Sequence, residues 1–375
     1  MESSHPASSG HRRLVFATTV DFQLRYHQGL YQRLREEGWE VHIVSTGGPL
    51  LEALADDGFA THQVKMERSP SMRDFRAIRE MNALIRRLRP DVVIAGSPKA
   101  SLLAMITARL NRVPARVYVV WGVRSEAGSR VGVQIARAGE RATIASASHV
   151  VAVSRSVRST LIASNLVSAD RTVDLVANGS TAGIDLDRFR PAASPAPRTR
   201  IGFVGRVTAD KGVTELAEAL EMLVGEGRKL ELVVAGPIED SEGREAIARM
   251  RRAGLSEVTV SPYVLDPRPI LESVGLLCLP SYREGLPNVV LEAFAMGVPV
   301  VASSVTGVTD LVRDGVTGRT VAPRSAAALA RGIAAALDDP ARTTTMARAA
   351  REFAAEAFSA EVVFDAWAAY VDALK

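Results

Sequence analysis

The sequence predicts an α/β protein of two doubly wound, Rossmann-like domains that face each other across a cleft. Short, nearly continuous apolar runs alternate with helical patterns along the chain, which is typical of parallel sheets covered by helices on both faces. A stretch rich in proline, alanine and arginine at 189–200 interrupts this alternation and indicates a linker. With 375 residues, the chain is long enough for two domains that each have a core.

The apolar runs place the strands and, through them, the domain boundaries. The strands predicted before the linker are 14–19, 41–46, 91–96, 116–122, 149–154 and 173–179. The strands predicted after it are 201–207, 231–236, 258–264, 276–281 and 299–304. We therefore expect an N-terminal domain at 1–188, of which 1–12 is disordered, and a C-terminal domain at 201–358. A final helix at 359–375 is expected to pack back on the N-terminal domain.

Composition excludes several classes of function. The chain has 47% apolar and 23% charged residues, as in ordinary globular proteins. No apolar run approaches the roughly 20 residues of a membrane-spanning helix, and the polar first residues show no secretory signal. The single cysteine, Cys278, excludes an intramolecular disulfide framework and is typical of the reducing cytoplasm, where we expect the protein to be located.

The net charge of +4 is unevenly distributed. Residues 1–190 contain 26 basic against 18 acidic side chains, whereas 191–375 contain 20 against 24. Much of the basic excess lies in an amphipathic helical pattern at 68–89. This pattern favours contact of the N-terminal half with an anionic membrane surface or a lipid-linked diphosphate, and a merely solvated helix is the alternative. Nucleic acid is not an expected partner, because basic and aromatic residues are not interleaved and no DNA-reading motif is present.

The most informative motif is E-G-L-P-N-V-V-L-E at 284–292, which follows a predicted buried strand and begins a helix. Glu284 lies at the mouth of the loop, and Pro287 suits the first helical position, where its missing N–H costs nothing. Glu292 lies one turn after Asn288, so both share a helix face. Unpaired amides at the start of the helix would face an anion, and the carboxylates suit sugar hydroxyls. The motif therefore predicts a site for a phosphorylated, hydroxyl-rich ligand.

A second loop in the same domain supplies positive charge. Gly205 and Arg206 end the first predicted strand of this domain, and Lys211 precedes the following helix. Gly205 permits close approach of the backbone, while the two cations would neutralise a diphosphate leaving group without a metal ion. Alone, this loop could be an ordinary surface loop. Together with the motif at 284–292, it indicates a nucleotide-sugar site.

At these motifs the chain resembles retaining glycosyltransferases of family 4, which have the GT-B fold. The segments GFVGRVTADKGV, PSYREGLPNVVLEAFAMGVPVVAS and TGVTDLVRDGVTG are similar, in order and spacing, to the donor-binding domain of that family. The N-terminal segments EEGWEVHIVSTGG, SPKASLLAMITARL, WGVRSEAGSR and NGSTAGIDLDRFRP look most like the branch that acts on polyprenyl-diphosphate-linked sugars. The resemblance covers nearly the whole chain.

The resemblance implies roles for the residues at matching positions. Arg206 and Lys211 would hold the donor diphosphate, and Glu284 would meet hydroxyls of the transferred sugar; these three form the implied catalytic group. Glu292 would bind the ribose diol, and the base would lie near the loop that contains Tyr263. The implied donor-binding residues are Gly205, Arg206, Lys211, Tyr263, Val264, Glu284, Gly285, Leu286, Pro287, Asn288, Val289 and Glu292.

The resemblance also implies the chemistry. Family members use a UDP-sugar, or sometimes a GDP-sugar, need no divalent metal or other cofactor, and retain the anomeric configuration. Retention in two steps requires a carboxylate nucleophile below the anomeric carbon, and the family has no generally accepted one. Attack on the leaving-group face, with the departing phosphate accepting the proton, is the usual proposal. The carboxylates of Asp185 and Asp187 have the spacing of a metal motif, but we expect them to be structural.

One departure from the family pattern lies in the N-terminal domain. Many members carry a histidine in a T-x-H-G pattern after the fourth strand, and Trp121 stands at that position here. Tryptophan can stack on a sugar but cannot transfer a proton. Lys99, Arg124, Trp121 and His27 are the acceptor-side candidates. The alternatives are ordinary ion pairs for the two cations and a plain helix position for His27.

We therefore expect a retaining hexosyltransferase that acts on the inner face of the cell membrane in bacterial glycan assembly. It would transfer a hexose or N-acetylhexosamine from a UDP-sugar to a polyprenyl-diphosphate-linked saccharide. The alternative is a family 4 enzyme with a soluble acceptor, such as an aminocyclitol or antibiotic scaffold. A nucleotide-sugar epimerase on the same fold and a non-catalytic binding module are less favoured, because both carboxylates and both cations of the motifs are present.

Overall fold

The computed structural model describes residues 12–67, 74–122, 130–168, 171–262 and 264–374. The chain forms two compact units. The first comprises Met1–Ala152, Leu161–Val176 and Phe364–Lys375, and the second comprises Val153–Thr160 and Ala177–Val363. Each unit contains one parallel sheet with flanking helices, six-stranded in the described part of the chain. The α/β fold with two Rossmann-like domains, predicted from the alternating pattern, is therefore confirmed.

The first unit has a sheet whose strands are joined by helical crossovers. Its strands are β1 Arg12–Ala17, β2 Trp39–Ser45, β3 Ala60–Gln63, β4 Val92–Ala95, β5 Ala115–Val120 and β6 His149–Ala152. Its helices are α1 Gln28–Glu36, α2 Pro49–Asp56, α3 Asp74–Leu88, α4 Pro98–Leu110 and α5 Arg130–Ser146, and α6 Arg155–Ala163 belongs to both units. A 3-10 helix, Asp21–Tyr26, follows β1. The strand order is β3-β2-β1-β4-β5-β6.

The second unit repeats this architecture. Its strands are β7 Arg200–Val204, β8 Glu231–Ala235, β9 Glu257–Ser261, β10 Leu276–Leu279, β11 Val300–Ser303 and β12 Arg319–Val321. Its helices are α7 Val213–Gly225, α8 Ser241–Arg252, α9 Arg268–Ser273, α10 Asn288–Ala295, α11 Ala326–Asp338 and α12 Pro340–Phe358, and α13 Ala360–Ala373 continues into the first unit. The strand order is β12-β11-β10-β7-β8-β9. A 3-10 helix, Ala209–Lys211, follows β7.

The central strands are apolar throughout because the sheet is covered on both faces. Along β10, Leu277 and Leu279 belong to one buried cluster, whereas Leu276 and Cys278 belong to the cluster on the opposite face. Successive side chains of a strand point to opposite faces, so both must be apolar when both faces are buried. Burial raises the pKa of the Cys278 thiol to about 12, which makes it an inert core side chain.

The order of the strands fixes where ligands can bind. When the strands of each unit are numbered from 1 to 6 along the chain, both sheets have the order 3-2-1-4-5-6. The direction of winding therefore changes between strands 1 and 4. In the second unit this switch point lies between β7 and β10, and in the first it lies between β1 and β4. The loops that follow these strands diverge and leave a crevice at the carboxyl edge of the sheet. The predicted donor-binding residues of 205–211 and 284–292 lie in the loops that follow β7 and β10 and at the start of the helices after them.

The structure corrects the predicted strands at three places. The strand predicted at 173–179 is wrong, because Asp174 forms an isolated bridge with Val151 rather than a ladder. Two strands, β3 and β12, were not predicted. Both are sheet edges with partly exposed, polar sequences, A-T-H-Q and R-T-V. An edge strand has one solvated side and therefore needs no continuous apolar run.

Helix α3 occupies most of the predicted basic amphipathic pattern, and 68–73 lies outside the described residues. The helix buries one stripe that includes Met81 and Ile85, while Phe75 on its exposed side is 67% accessible. This is the periodicity of a helix that packs through one face. Among the described residues, no helix is both long and apolar enough to cross a membrane.

Helix α13 ends within the first unit. The carboxylate of Asp372 accepts hydrogen bonds from Arg12 Nη1, at 2.8 Å, and from Trp39 Nε1, at 3.1 Å. Tyr370 Oη donates to Asp174 Oδ2 at 2.8 Å, and the neighbouring Trp367 is fully buried. The last turns of the chain are thus fastened to the first strand of the unit and to the strand beside it.

Trp367→Ala should strongly destabilise the protein, because Trp367 is only 1% exposed and its removal leaves a large cavity. We expect a loss of about 3–5 kcal/mol in the free energy of unfolding, measured by chemical denaturation and circular dichroism. Phe75→Ala is the matched control, because this aromatic side chain is exposed and should change stability by less than about 0.5 kcal/mol. Equal losses for the two variants would contradict the packing described for α13.

Candidate active site

A glycine brings the two loops of the second switch point together. Gly212 follows the loop after β7 and has a φ of 70°, which glycine adopts without the steric cost of a side chain. A Cβ atom at this position would lie 2.1 Å from the carbonyl oxygen of Pro280, at the end of β10. The absence of a side chain therefore allows Lys211 to lie beside the loop that carries Glu284.

Lys211 and Glu284 form a short ion pair across this switch point. The distance from Lys211 Nζ to Glu284 Oε1 is 2.6 Å, and the side chains are 17% and 13% exposed. The two residues are 73 positions apart in the sequence. Because removing either charge from water is costly, each of these groups stabilises the other in its partly buried position. The structure thus brings together two residues that the sequence predicted for one site.

Arg206 lies at the end of β7 and is paired with carboxylates that the sequence analysis missed. Its Nη1 lies 3.1 Å from Glu239 Oε2, and its Nη2 lies 3.5 Å from Asp210 Oδ2. Asp210 also accepts a hydrogen bond from Thr208 Oγ1 at 2.6 Å and lies 3.6 Å from Arg283 Nη2. Arg283 is therefore a third cation of this cluster, beside Arg206 and Lys211.

The neighbouring cations of this cluster change the pKa of Asp210. Burial alone would raise the pKa of this carboxyl group, but the hydrogen bond from Thr208 and the charges of Arg206, Lys211 and Arg283 lower it below its usual value. The ionised form of Asp210 is the one that these partners stabilise. These contacts join three basic side chains with three acidic ones, of which Glu239 and Glu284 are the other two besides Asp210.

The loop at 284–288 leads directly into α10. Asn288 is the first residue of the helix and Pro287 is its N-cap, with φ −73° and ψ 106°. The prediction of Pro287 at the first helical position is therefore wrong by one residue. The fixed φ of proline suits either position, whereas its extended ψ here places it just outside the helix. Gly285 and Pro287 are buried, whereas Leu286 and Val289 are half-buried.

The start of α10 leaves amide groups available. Within the described residues, the main-chain N–H groups of Leu286, Asn288 and Val289 have no hydrogen-bond acceptor in the protein, as expected for the first turn of a helix. Glu292, one turn further along, is buried within this helix, at 6% exposure. This geometry can bind an anion at the helix start, with one carboxylate before the helix and one on it.

The remaining predicted residues lie beside these loops, elsewhere in the chain, or outside the described residues. Gly205 directly follows β7 and has a φ of 155°. Apart from its chain neighbours, no atom lies closer than 4.0 Å to the position of a Cβ, so its α-carbon is open to an approaching ligand. Val264 follows β9 and is half-buried. Tyr263 lies outside the described residues, and so does Arg124 in the first unit. Asp185 Oδ1 accepts hydrogen bonds from the backbone N–H groups of Asp187 and Arg188, so it caps a turn.

The loops at the switch point of the first unit are also joined. Thr19, after β1, donates its backbone N–H to Ser97 Oγ at 2.6 Å, and its hydroxyl accepts from the backbone N–H of Ala100 at 3.1 Å. Nearby, Lys99 Nζ lies 2.7 Å from Asp74 Oδ1 and is 11% exposed at its side chain. The alternative of an ion pair for Lys99 is thus what the structure contains, although this pair is largely buried.

Trp121 and His27 form an aromatic pair beside this switch point. Their ring centroids are 5.4 Å apart with an interplanar angle of 14°, and Gly96 leaves room for the indole, since a Cβ there would lie 2.3 Å from the ring. His27 is 3% exposed, and its Nδ1 lies 3.0 Å from the carbonyl oxygen of Gln23. Burial lowers the pKa of His27 to about 4, so its imidazole is neutral at pH 7. One face of the Trp121 ring is therefore occupied by His27.

Two family models match the two halves of the chain. The model described as glycosyl transferase 4-like domain matches residues 24–179. The model described as glycosyl transferases group 1 matches residues 198–339, which include the loops of Arg206, Lys211 and Glu284.

Relatives and solved structures agree with this assignment. The capsular polysaccharide biosynthesis glycosyltransferase CapM of Staphylococcus aureus is 27% identical over 94% of this chain and 95% of its own length. The 2-deoxystreptamine glucosyltransferase of Streptomyces kanamyceticus is 31% identical over 53% of this chain and 54% of its own length. The crystal structure of Anabaena HepE in complex with UDP and glucose has the same fold, with a TM-score of 0.79 at 18% identity over 97% of this chain and 100% of HepE. The chain is thus a GT-B glycosyltransferase, with one glycosyl transferase 4-like domain and one glycosyl transferases group 1 domain.

Proposed function

We propose that this glycosyltransferase transfers a hexose or N-acetylhexosamine from a UDP-sugar to a polyprenyl-diphosphate-linked saccharide, with retention of the anomeric configuration. The observation that carries the proposal is the ion pair of Lys211 and Glu284 at the switch point of the second sheet. An ammonium group suits a phosphate and a carboxylate suits a sugar hydroxyl, and a nucleotide sugar requires both kinds of contact, so this pair supports the proposal.

The charges around this pair suit a diphosphate. Lys211 and Arg206 are each held by a carboxylate, and both ion pairs can exchange a carboxylate oxygen for a phosphate oxygen without moving the cation far. The unpaired amides of Leu286 and Asn288 add neutral donors to the same loop region. The presence of UDP and glucose in the crystal structure of HepE, a protein of the same fold, supports UDP as the nucleotide.

Retention follows from attack on the face that the leaving group occupies. The bond from the anomeric carbon to the phosphate oxygen breaks while the acceptor oxygen bonds to the same face of that carbon. The departing phosphate takes the proton of the acceptor hydroxyl, so no enzyme carboxylate need become covalently attached. Lys211 and Arg206 stabilise the negative charge that develops on the diphosphate, and Glu284 orients the transferred sugar.

The acceptor is proposed from the relatives and from the charge of the first unit. CapM is named for capsular polysaccharide biosynthesis, and its similarity extends over almost the whole of both chains. The basic α3, with its exposed Phe75, suits a peripheral contact with an anionic membrane, where a lipid-linked acceptor would be presented. A soluble aminocyclitol is the second candidate, because a 2-deoxystreptamine glucosyltransferase is also similar over half of the chain.

Substitutions in the ion pair should separate sugar orientation from phosphate binding. Glu284→Gln should reduce turnover at least about 100-fold and change the Kd for UDP less than about threefold, because it removes a carboxylate that faces the sugar. Lys211→Ala should weaken UDP binding about tenfold or more and also slow transfer, because it removes a charge-assisted hydrogen bond. Calorimetric titration with UDP and a UDP-release assay measure the two quantities. Normal turnover in Glu284→Gln would remove this residue from the site.

Metal independence is part of the proposal, because Arg206, Lys211 and Arg283 supply positive charge at the place of the leaving group. The rate of UDP release should change by less than about twofold when the purified enzyme is assayed with excess EDTA. Addition of Mg²⁺ or Mn²⁺ after EDTA should then have no further effect. An EDTA-treated enzyme that regains activity only with a divalent metal would contradict the proposed role of the three cations.

The proposed function is tested by UDP release from a panel of UDP-hexoses and UDP-N-acetylhexosamines. Each donor is combined with a polyprenyl-diphospho-N-acetylhexosamine in detergent, with soluble 2-deoxystreptamine, or with no acceptor. We expect one donor to give release that depends on the lipid-linked acceptor, with a product that retains the anomeric configuration by NMR. Glu284→Gln serves as the control for contaminating transferases.

Other outcomes of this panel have definite meanings. Release that depends on the aminocyclitol would support the second candidate and overturn the lipid-linked acceptor. Anomeric inversion in the product would overturn the proposed mechanism. Conversion of one UDP-sugar into its epimer without release of UDP would overturn glycosyl transfer itself.

A further inference from the structure

A short segment that leads from β6 into the first part of α6 is hydrogen-bonded to the loop of Glu284. The segment Val153–Thr160 belongs to the second unit, although β6 before it belongs to the first. Ser154 is completely buried, and its Oγ donates a hydrogen bond to the carbonyl oxygen of Gly285 at 3.0 Å. Gly285 is the residue directly after Glu284. A residue that the functional motifs do not include therefore contacts the backbone of the proposed donor loop.

A second serine joins the same segment to a third loop. The hydroxyl of Ser156 donates to Asp310 Oδ2 and accepts a hydrogen bond from the backbone N–H of Gly307 at 2.7 Å. A Cβ on Gly307 would lie 2.2 Å from the carbonyl oxygen of Gly285, so this loop packs directly against the same peptide group. The carbonyl oxygen of Gly285 is thus enclosed by Ser154 on one segment and Gly307 on another.

The geometry of the peptide bond gives this contact a consequence for the ligand. The carbonyl of Gly285 and the N–H of Leu286 belong to one planar trans peptide, in which they point in opposite directions. A hydrogen bond that holds the carbonyl toward Ser154 therefore directs the N–H of Leu286 away from it. This N–H has no acceptor in the described part of the protein. It is one of the amides proposed to face the donor.

We propose that Ser154 is a positioning residue of the donor site, which sets the peptide plane at Gly285 and Leu286 and thereby the positions of Glu284 and the Leu286 amide. The inference rests on the proposed function, because it concerns the same site. The hydrogen bond between Ser156 and Asp310 is a second contact that holds this segment in place. The hydroxyls of both serines are hydrogen-bonded to protein groups, so their effect on transfer is exerted through the loop.

The hydroxyl of Ser154 makes two hydrogen bonds, and a control that removes only a helix cap elsewhere distinguishes their effects. Its oxygen accepts the backbone N–H of Val157 at 3.2 Å, which caps the start of α6, and its proton is donated to Gly285. A cap alone is a structural role, and its loss would lower stability without altering the donor loop. Asp339 is a matched control, because it caps α12 by accepting the N–H of Arg342 at 3.0 Å and has no contact with the donor loop.

The test compares Ser154→Ala, Ser154→Thr, Ser156→Ala and Asp339→Ala in the full-length enzyme. Ser154→Ala should lower kcat/KM for the donor about tenfold, mainly through kcat, and leave KM for the acceptor unchanged. Ser154→Thr keeps a hydroxyl and should recover activity to within about threefold of wild type. Asp339→Ala should lose a similar amount of thermal stability but keep its activity. Ser156→Ala should lower kcat in the same direction, which provides a second measurement if Ser154→Ala does not fold.

Hydrogen exchange without ligand gives a readout that is independent of the substrate. The backbone N–H of Glu284 is bonded to the carbonyl of Thr306 at 3.3 Å, and that of Gly307 is bonded to Ser156. Exchange at these two amides should become about tenfold faster in Ser154→Ala and return to normal in Ser154→Thr. Unchanged exchange, or a loss of activity equal to that of Asp339→Ala, would overturn the inference. If the wild-type enzyme binds no UDP, the proposed function fails, while the exchange rates still decide whether Ser154 holds the loop.

Discussion

The ion pair between Lys211 and Glu284 is the interaction on which the organisation of the candidate site depends. It joins the loop after β7 to the loop after β10 at the switch point of the sheet, where the two loops would otherwise diverge. Because both side chains are largely removed from water, each stabilises the other at the position where the two loops meet. The pair also requires glycine at position 212, because the side chain of any other residue there would collide with the backbone of Pro280.

Around this pair, each basic side chain of the cluster lies beside at least one carboxylate. Arg206 contacts Glu239 and Asp210, and Asp210 also contacts Arg283. A cluster of this kind keeps guanidinium groups in fixed positions, so less side-chain entropy would be lost when the proposed diphosphate donor binds. The ligand must compete with the resident carboxylates, which favours a dianionic diphosphate over a singly charged anion. In the proposed function, selectivity for the class of donor can therefore arise from the ion pairs among these side chains.

The parts of this structure that could be predicted from sequence are those that local patterns encode. Strands buried on both faces, such as β10, are continuous apolar runs, whereas the edge strands β3 and β12 lack such runs and were missed. The apolar segment at 173–179 was assigned as a strand because apolar periodicity does not specify a pairing partner. In the site, Lys211 and Glu284 stand in recognisable motifs. Glu239 and Ser154 meet these motifs only through tertiary structure, so no local spacing indicates them. Asp210 directly precedes Lys211, so its place in the site could have been predicted from the sequence.

The first unit bears on where the proton of the acceptor goes. Trp121 stands where the resemblance to family 4 predicts a histidine, and the nearby imidazole of His27 is stacked against it and buried. The lowered pKa of His27, about 4, makes its buried, neutral imidazole a poor proton acceptor at pH 7. Lys99, which was also considered for this role, forms an ion pair with Asp74. In the proposed mechanism the proton is therefore best accepted by the departing phosphate, whose developing charge Lys211 and Arg206 stabilise.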